Sequence, residues 1–146
     1  MADFTLPGFA SFLGTMAMNM KTAEHEGLEK GCQIIEAEAK RVIGTYDYGW
    51  KQLADVTKRD RVANGFPENE PLLRTGEMRD SIEHTVGKDE AQVGSNNDKA
   101  LWQELGTSRG IPPRSFLGEA AARKAQEVVE AIGQSVVAHI AGRKVI

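Results

Sequence analysis

Apolar residues recur at spacings of three and four along the first third of the chain. This stripe consists of Leu28, Cys32, Ile35, Ala39 and Val42. Charged residues such as Glu29 mostly face away from it. The spacing predicts one long amphipathic helix that begins near Gly8 and ends at Gly44, a residue type that tolerates a left-handed backbone. Gly27 and Gly31 are the positions at which a kink is expected.

The next segment, residues 45–73, shows no sustained period. It is instead rich in residues that favour turns, namely Gly49, Gly65, Pro67 and Pro71. We therefore predict a long flexible loop here, with room for one short helix.

Alternation of apolar and polar residues then indicates a hairpin within residues 74–114. Thr75 is placed to cap a short helical turn ahead of it. The first strand carries Ile82, His84 and Val86 on one face. The remaining predicted elements are a turn at 87–90, a returning strand at 91–94 and a short helix at 99–105 that Gly106 stops.

A second helical stripe follows Ser115, a plausible N-cap. Its members are Leu117, Ala121, Ala125, Val128, Ile132 and Val136. Arg143 and Lys144 come where the dipole of this helix favours positive charge.

These elements predict a single α+β domain over residues 1–146. A long N-terminal helix (1–44) and a C-terminal helix (115–142) are expected to pack on a small antiparallel β-sheet from the hairpin region (74–114). The long flexible loop (45–73) lies between them.

Composition adds few constraints. The net charge of −3 gives no global attraction for polyanions. Because Cys32 is the only cysteine, neither an intramolecular disulfide nor a cysteine-based zinc site can form, which fits a reducing compartment. The apolar stretch 9–20 is interrupted by polar residues, so we expect neither a signal peptide nor a membrane helix and a protein that is cytosolic at synthesis.

Candidate chemistry is sparse. His25 and Glu26 resemble the start of a zinc-protease motif, but Glu29 stands where the second histidine is needed. His84 is interpreted as a half-buried strand residue, and Cys32 as a small hydrophobic residue on the apolar stripe. We therefore predict no catalytic residue, no metal, no cofactor and no enzymatic activity.

A basic cluster, Lys58, Arg59 and Arg61, lies in the long loop beyond Trp50. Basic residues interleaved with aromatic ones could hold a nucleic-acid strand. Asp60 and other acids dilute the charge, and a solvated loop explains the same pattern. A nucleic-acid-binding module that uses residues 58–61 remains the alternative hypothesis from a different functional class.

Two motifs are more specific. Residues 71–82 read Pro-Leu-Leu-Arg-Thr-Gly-Glu-Met-Arg-Asp-Ser-Ile, and residues 100–108 read Ala-Leu-Trp-Gln-Glu-Leu-Gly-Thr-Ser, followed at 111–117 by Ile-Pro-Pro-Arg-Ser-Phe-Leu. In this order, with a hairpin between them, they resemble the neck or tail-completion (head–tail joining) proteins of long-tailed double-stranded DNA bacteriophages. That family commonly shows Leu-x-x-Thr-Gly-x-Leu-x-x-Ser-Ile, then Tyr-Ala-x-x-x-Glu-x-Gly-Thr, then Pro-x-Arg-Pro-Phe-Leu. Leu101 and Trp102 depart from the second block, and Ser115 departs from the third.

The resemblance implies a structural virion protein that is assembled in the host cytoplasm. It would form a ring of identical copies, commonly a hexamer, at the head–tail junction or the top of the tail. Its partners would be other neck proteins and the tail tube or terminator. DNA would pass without sequence-specific contact, and no membrane is involved. A tail terminator or head-closure protein would share the size and the ring, so both stay open.

Two groups of residues are predicted to matter in that setting. The first specifies the fold and comprises Thr75, Gly76, Gly106, Thr107, Pro112, Pro113 and Phe116. Gly106 is expected to adopt a positive φ, and Arg114 to pair with a carboxylate such as Glu104, either within the subunit or on its neighbour. The second group is the candidate interface and comprises Trp50, Arg59, Arg61, Trp102, Glu104 and Arg114.

Overall fold

The computed structural model describes residues 5–140. It has the predicted α+β architecture: a long N-terminal helix, a C-terminal helix and one two-stranded antiparallel sheet. The elements in chain order are α1 (Leu6–Val42), α2 (Asp55–Ala63), α3 (Glu77–Asp80), β1 (Ile82–Val86), β2 (Ala91–Ser95), α4 (Asp98–Leu105) and α5 (Leu117–Ile140). Residues 141–142 of the predicted last helix, with Arg143 and Lys144, lie outside the described residues.

Helix α1 is bounded by the residues that its sequence provides. The side chain of Thr5 accepts a hydrogen bond from the amide of Gly8 at 3.2 Å, which satisfies one free donor of the first turn. Pro7 stands in that first turn, where its lack of a donor costs nothing. The helix ends at Val42, and Gly44 follows with φ +91°, so the predicted stop is confirmed.

The main contact of the fold is the packing of α1 against α5. A Cβ atom at Gly27 would lie 3.0 Å from the Cα of Ile132, and one at Gly31 would lie 2.9 Å from Cγ1 of Val128. These two glycines therefore allow the helices to approach closely. Helix α1 runs through both positions without a break, so their role is contact with α5 and not the expected kink.

Beside this contact, the C-terminal end of α1 and the hairpin form the hydrophobic core. The core comprises Ala39, Val42, Ile43, Met78, Ile82, Ala100, Phe116 and Ala120. The two strands pair with Ile82 opposite Ser95 and Val86 opposite Ala91, as the alternation predicted. The returning strand extends one residue further than expected, to Ser95.

His84 joins the hairpin to α1. It is half-buried, as predicted, and its ring lies between two carboxylates of α1. Nε2 is 2.8 Å from Oε1 of Glu29, and Nδ1 contacts Oε2 of Glu36. The contacts with Glu36 and then Glu29 raise the pKa of His84. The hydrogen bond with the His84 ring lowers the pKa of Glu29. The pKa of Glu36 is lowered as well, mainly by its hydrogen bond with Lys40 and secondarily by that with His84.

The segment 45–73 is more structured than a flexible loop. It contains α2, the one short helix for which the sequence left room. The turn after α2 is closed by hydrogen bonds from the amides of Gly65 and Phe66 to the carbonyls of Val62 and Arg61. Pro71 is fully buried and accepts a hydrogen bond from the amide of Gly44 at 2.8 Å. The segment is thus attached to the core at several points.

The helix contact makes one substitution informative. Gly27→Ala should place a methyl group against the backbone of Ile132 and lower the free energy of unfolding by about 1–3 kcal/mol, as overpacking does. Gly14→Ala is the matched control, because nothing lies within 4 Å of a Cβ atom there. The control should be neutral or stabilising by about 0.5–1 kcal/mol. Urea unfolding measures both, and equal effects would contradict a close contact at Gly27.

The bridge at His84 predicts a pH dependence. Folding raises the pKa of His84, so its contribution to stability is fully present below the unfolded-state pKa of about 6.5 and is lost as the pH rises through the folded-state value. The stability difference between wild type and His84→Gln should therefore shrink as the pH rises above about 6.5. Urea unfolding at several pH values tests this. Thr85→Gln, on the exposed face of the same strand, is the control. A stability difference between wild type and His84→Gln that does not change with pH would disprove the ionic contacts of His84 with Glu29 and Glu36.

Candidate interface around a basic cleft

The two sequence motifs come together around a cleft of about 480 Å³. Its walls are residues 51–54, α2, the first motif and the second motif. The charged residues that line it are Lys51, Arg61, Arg74, Lys99 and Arg114 on the positive side and Glu77 on the negative side. The cleft is therefore basic, although the net charge of the chain is negative.

Arg61 lies in the wall of the cleft and holds the turn that precedes the first motif. It is only 7% exposed. Its Nη1 donates to the backbone carbonyls of Pro67, Glu70 and Leu73, at 3.2, 3.0 and 2.5 Å. The sequence predicted that Arg61 would be exposed and could contact a partner or nucleic acid. The structure corrects this, because the guanidinium is used within the chain.

Arg114 holds the segment before α2 in place in the same way, by donating to backbone carbonyls. It is 5% exposed. Its Nε and Nη2 donate to the carbonyl of Lys51 at 3.2 and 2.9 Å, and its amide donates to the carbonyl of Gln103 at 2.6 Å. The expected ion pair with Glu104 is therefore not formed within the subunit. Arg114 binds backbone carbonyls that lie about sixty residues earlier in the chain.

Neither buried guanidinium has a carboxylate partner among residues 5–140. Burial lowers the pKa of Arg61 and that of Arg114, and the nearby Arg74 adds to the effect at Arg61. Arg74 itself is 3.2 Å from Asp60 and stacks over Phe66 at 4.5 Å. The carbonyl dipoles, not opposite charges, stabilise the two buried cations.

Glu104 has a role that the sequence did not reveal. Its Oε2 accepts from the amides of Phe116 and Leu117 at 2.9 and 3.0 Å. Its Oε1 accepts from the amide of Gly118 at 2.9 Å and from the hydroxyl of Ser115 at 2.6 Å. Glu104 therefore caps the N-terminus of α5 from another helix. A carboxylate is favoured there because four amides of a first turn lack helical partners and the helix dipole attracts negative charge.

Ser115 supplies the rest of this cap, although it stands two residues before the first residue of α5 and not directly before it, as the predicted N-cap would. Its Oγ accepts from the amide of Glu119 at 3.2 Å. The first four amides at the start of α5, from Phe116 to Glu119, thus all have side-chain acceptors. Phe116 itself is 1% exposed and belongs to the core, as predicted.

The turn of the second motif depends on Gly106. Its φ is +73°, which confirms the predicted positive value. A Cβ atom here would lie 2.8 Å from the carbonyl oxygen of Ile111 and 3.0 Å from Cδ of Pro113. Thr107 closes the turn, since its amide donates to the carbonyl of Ile111 at 3.0 Å and its hydroxyl accepts from the amide of Ile111 at 3.3 Å. No other residue type than glycine fits this turn without strain.

The first motif and the prolines also serve the local fold. Thr75 accepts from the amide of Glu77 at 3.3 Å, so it caps α3 as predicted. Gly76 immediately precedes α3 and is buried. Pro112 lines the cleft, and the extended Pro112 and Pro113 connect Gly106 to the start of α5.

Of the candidate interface residues, Trp102 and Arg59 are exposed, Trp102 at 46%. Trp50 is half-buried, and its indole donates to the carbonyl of Ser115 at 3.3 Å, so it stabilises the fold. The sequence missed two neighbours of Trp102: Leu101 and Leu105 are 60% and 69% exposed on α4. Their spacing of four residues places them on one face of the helix and could have indicated the patch.

The helix cap at Glu104 can be tested by one isosteric change. Glu104→Gln keeps the shape but removes the charge and one acceptor oxygen, so it should lower the free energy of unfolding by about 1–3 kcal/mol. Glu83→Gln, on the exposed face of β1, is the control and should change stability by less than about 0.5 kcal/mol. Chemical unfolding of both proteins is the measurement. Similar small effects would show that Glu104 does not cap α5.

Two classes of site are not found in the described part of the chain. Residues 5–140 contain no group of three or more histidine, cysteine or acidic side chains that could hold a metal ion. None of the described helices is both long enough and apolar enough to cross a bilayer.

The chain matches no protein-family model, no curated protein and no solved structure. Function must therefore be argued from the cleft, the exposed surfaces and the resemblance of the two motifs.

Proposed function

We propose that this chain is a non-enzymatic structural subunit of a tailed-phage particle, of the neck or tail-completion type. Copies would form a ring, commonly of six in the proteins that it resembles, at the head–tail junction or the top of the tail. The observation that carries the proposal is the meeting of the two motifs. Residues 71–82 and 100–117 are separated by a hairpin, yet both contribute residues to the lining of one cleft.

The local interactions of these motifs support that proposal. Gly106, Glu104 and Arg114 each make a contact that fixes one connection: the turn after α4, the start of α5 and the segment before α2. Such contacts define one rigid scaffold and leave the surface to partner recognition. A protein whose task is assembly needs this combination, because pre-organised surfaces lose less entropy on binding.

The exposed side chains of α4 offer one surface for neighbouring subunits or tail proteins. Leu101, Trp102 and Leu105 together form an exposed apolar patch on α4. Large aromatic and apolar residues are typical of the energetically important part of a protein interface. The nucleic-acid alternative has less support, since Arg61 is engaged inside the chain and Lys58 is half-buried, which leaves Arg59 as the exposed member of the cluster.

Deletion of the gene from the phage or prophage that carries it tests the proposal. Electron microscopy of the lysate should show filled heads and separate tails, and wild-type protein supplied in trans should restore whole particles. Normal particles after deletion would disprove the assembly role. Locating the subunit in intact particles would separate a neck protein from the alternative of a tail terminator or head-closure protein.

Complementation can also test the α4 patch. Leu101→Gln should fail to restore joined particles or restore far fewer, because it makes the patch polar. Val129→Gln is a matched control on α5, since Val129 is exposed to a similar extent, 63% against 60%. If both variants fully restored joined particles, α4 would not belong to the interface. The deletion experiment would then be the test of the rest of the proposal.

A further inference from the structure

The N-terminal part of α1 extends beyond the described part of the helix that covers the rest of it. Gly27 faces Ile132 and Gly31 faces Val128, so α1 and α5 run antiparallel. At this register, Ile140, the last described residue of α5, comes level with about Asn19, since both helices rise at roughly 1.5 Å per residue. We call residues 6–20 the arm. All but two of them are exposed.

The arm carries a continuous apolar stripe. Leu6, Phe9, Leu13, Met16 and Met20 follow one another at spacings of three, four, three and four. This is the repeat by which one helix packs along another helix. The same spacing continues into Ala23 and Gly27, which are buried where α5 covers α1. The stripe is therefore the continuation of a helix-packing face.

The exposed apolar area of the arm is large. Leu6 is 83% exposed, Leu13 is 49% exposed and Met20 is 48% exposed, while Phe9 and Phe12 are each 45% exposed. At roughly 200 Å² for a fully exposed large side chain, these fractions correspond to about 550 Å². Monomeric proteins seldom expose a contiguous apolar patch of this size without an interaction to cover it.

The chemistry of the stripe favours a second copy as the occupant. No charged residue occurs between Asp3 and Lys21, so the arm offers no ion pair by which it could select an acidic or basic partner. An identical stripe is complementary to it in spacing and polarity. If two arms covered each other's five exposed side chains completely, they would bury about 1,100 Å², which is close to the roughly 1,000 Å² expected of a biological interface.

A second apolar feature accommodates the arm less well. A groove of about 430 Å³ between α1, α5 and β2 is lined by Leu28, Ile35, Val93, Leu117 and Val128, among others. This is the volume of a small-molecule site. The stripe spans about 21 Å of helix, so most of its large side chains would stay outside such a groove.

We propose that the arm of one copy packs along the arm of a second copy through the stripe from Leu6 to Met20. The inference rests on the exposure and spacing of these residues and holds outside the phage setting. Within a ring, neighbouring arms would supply contacts between subunits in addition to the α4 patch.

Charge substitution on the two faces of the arm tests the proposal. In sedimentation experiments on the full chain, the wild type should associate with increasing concentration. Leu13→Glu should raise the dissociation constant at least about tenfold, because each copy would bury an unpaired carboxylate. Met18→Glu is the matched control: Met18 lies on the opposite face, is 73% exposed, and should associate like the wild type. At concentrations too low for the wild type to associate, circular dichroism and thermal unfolding should be unchanged in both variants, since the arm is outside the core.

Crosslinking separates arm-to-arm packing from the other arrangements. Leu13 is the midpoint of the stripe, so it lies beside Leu13 of the second copy whether the arms run parallel or antiparallel. In a Cys32→Ala background, Leu13→Cys should form a disulfide-linked dimer under mild oxidation. Met18→Cys, on the opposite face, should not. A wild type that stays monomeric, equal effects of Leu13→Glu and Met18→Glu, or an associated protein that fails to crosslink at position 13 would each overturn the proposal. None of these outcomes bears on the deletion result, so the two proposals can fail separately.

Discussion

The close approach of α1 and α5 is the contact on which the rest of the fold depends. Gly27 and Gly31 remove the side chains that would separate the two helices. With the helices in contact, the C-terminal end of α1 can pack against the hairpin and against Phe116 at the start of α5. The hairpin has only two strands, and such a sheet is marginal unless a helix supports it. Its position therefore follows from the helix pair.

The regular elements could be predicted from the sequence because their signals are local. The stripe from Leu28 to Val42, the alternation from Ile82 to Val86 and the terminating positions of Gly44 and Gly106 each concern residues that are neighbours in the chain. Periodicity also gave the correct number of strands and the correct turn. Even the roles of Ser115 and Thr75 as caps were visible, since a cap acts on the amides that follow it directly.

The candidate interface was predicted less well, because its contacts join distant parts of the chain. Arg61 and Arg114 resemble exposed binding residues in the sequence, and nothing local indicates that each will bind backbone carbonyls. Glu104 is separated by more than ten residues from the amides that it caps. The glutamate partners of His84 lie about fifty residues before it. Only Leu101 and Leu105, which are exposed on α4 as Trp102 is, could have been added from helical spacing.

The use of arginine with carbonyl acceptors has a consequence for the environment in which the cleft can exist. A guanidinium stays protonated throughout the accessible pH range, and a backbone carbonyl does not titrate. The contacts of Arg61 and Arg114 thus contain no group that acid or mild alkali could switch. They are also short-range contacts with buried dipoles, which dissolved salt screens poorly. The two segments that Arg61 and Arg114 bind should consequently keep their positions through changes of acidity and ionic strength that would weaken ion pairs with carboxylates.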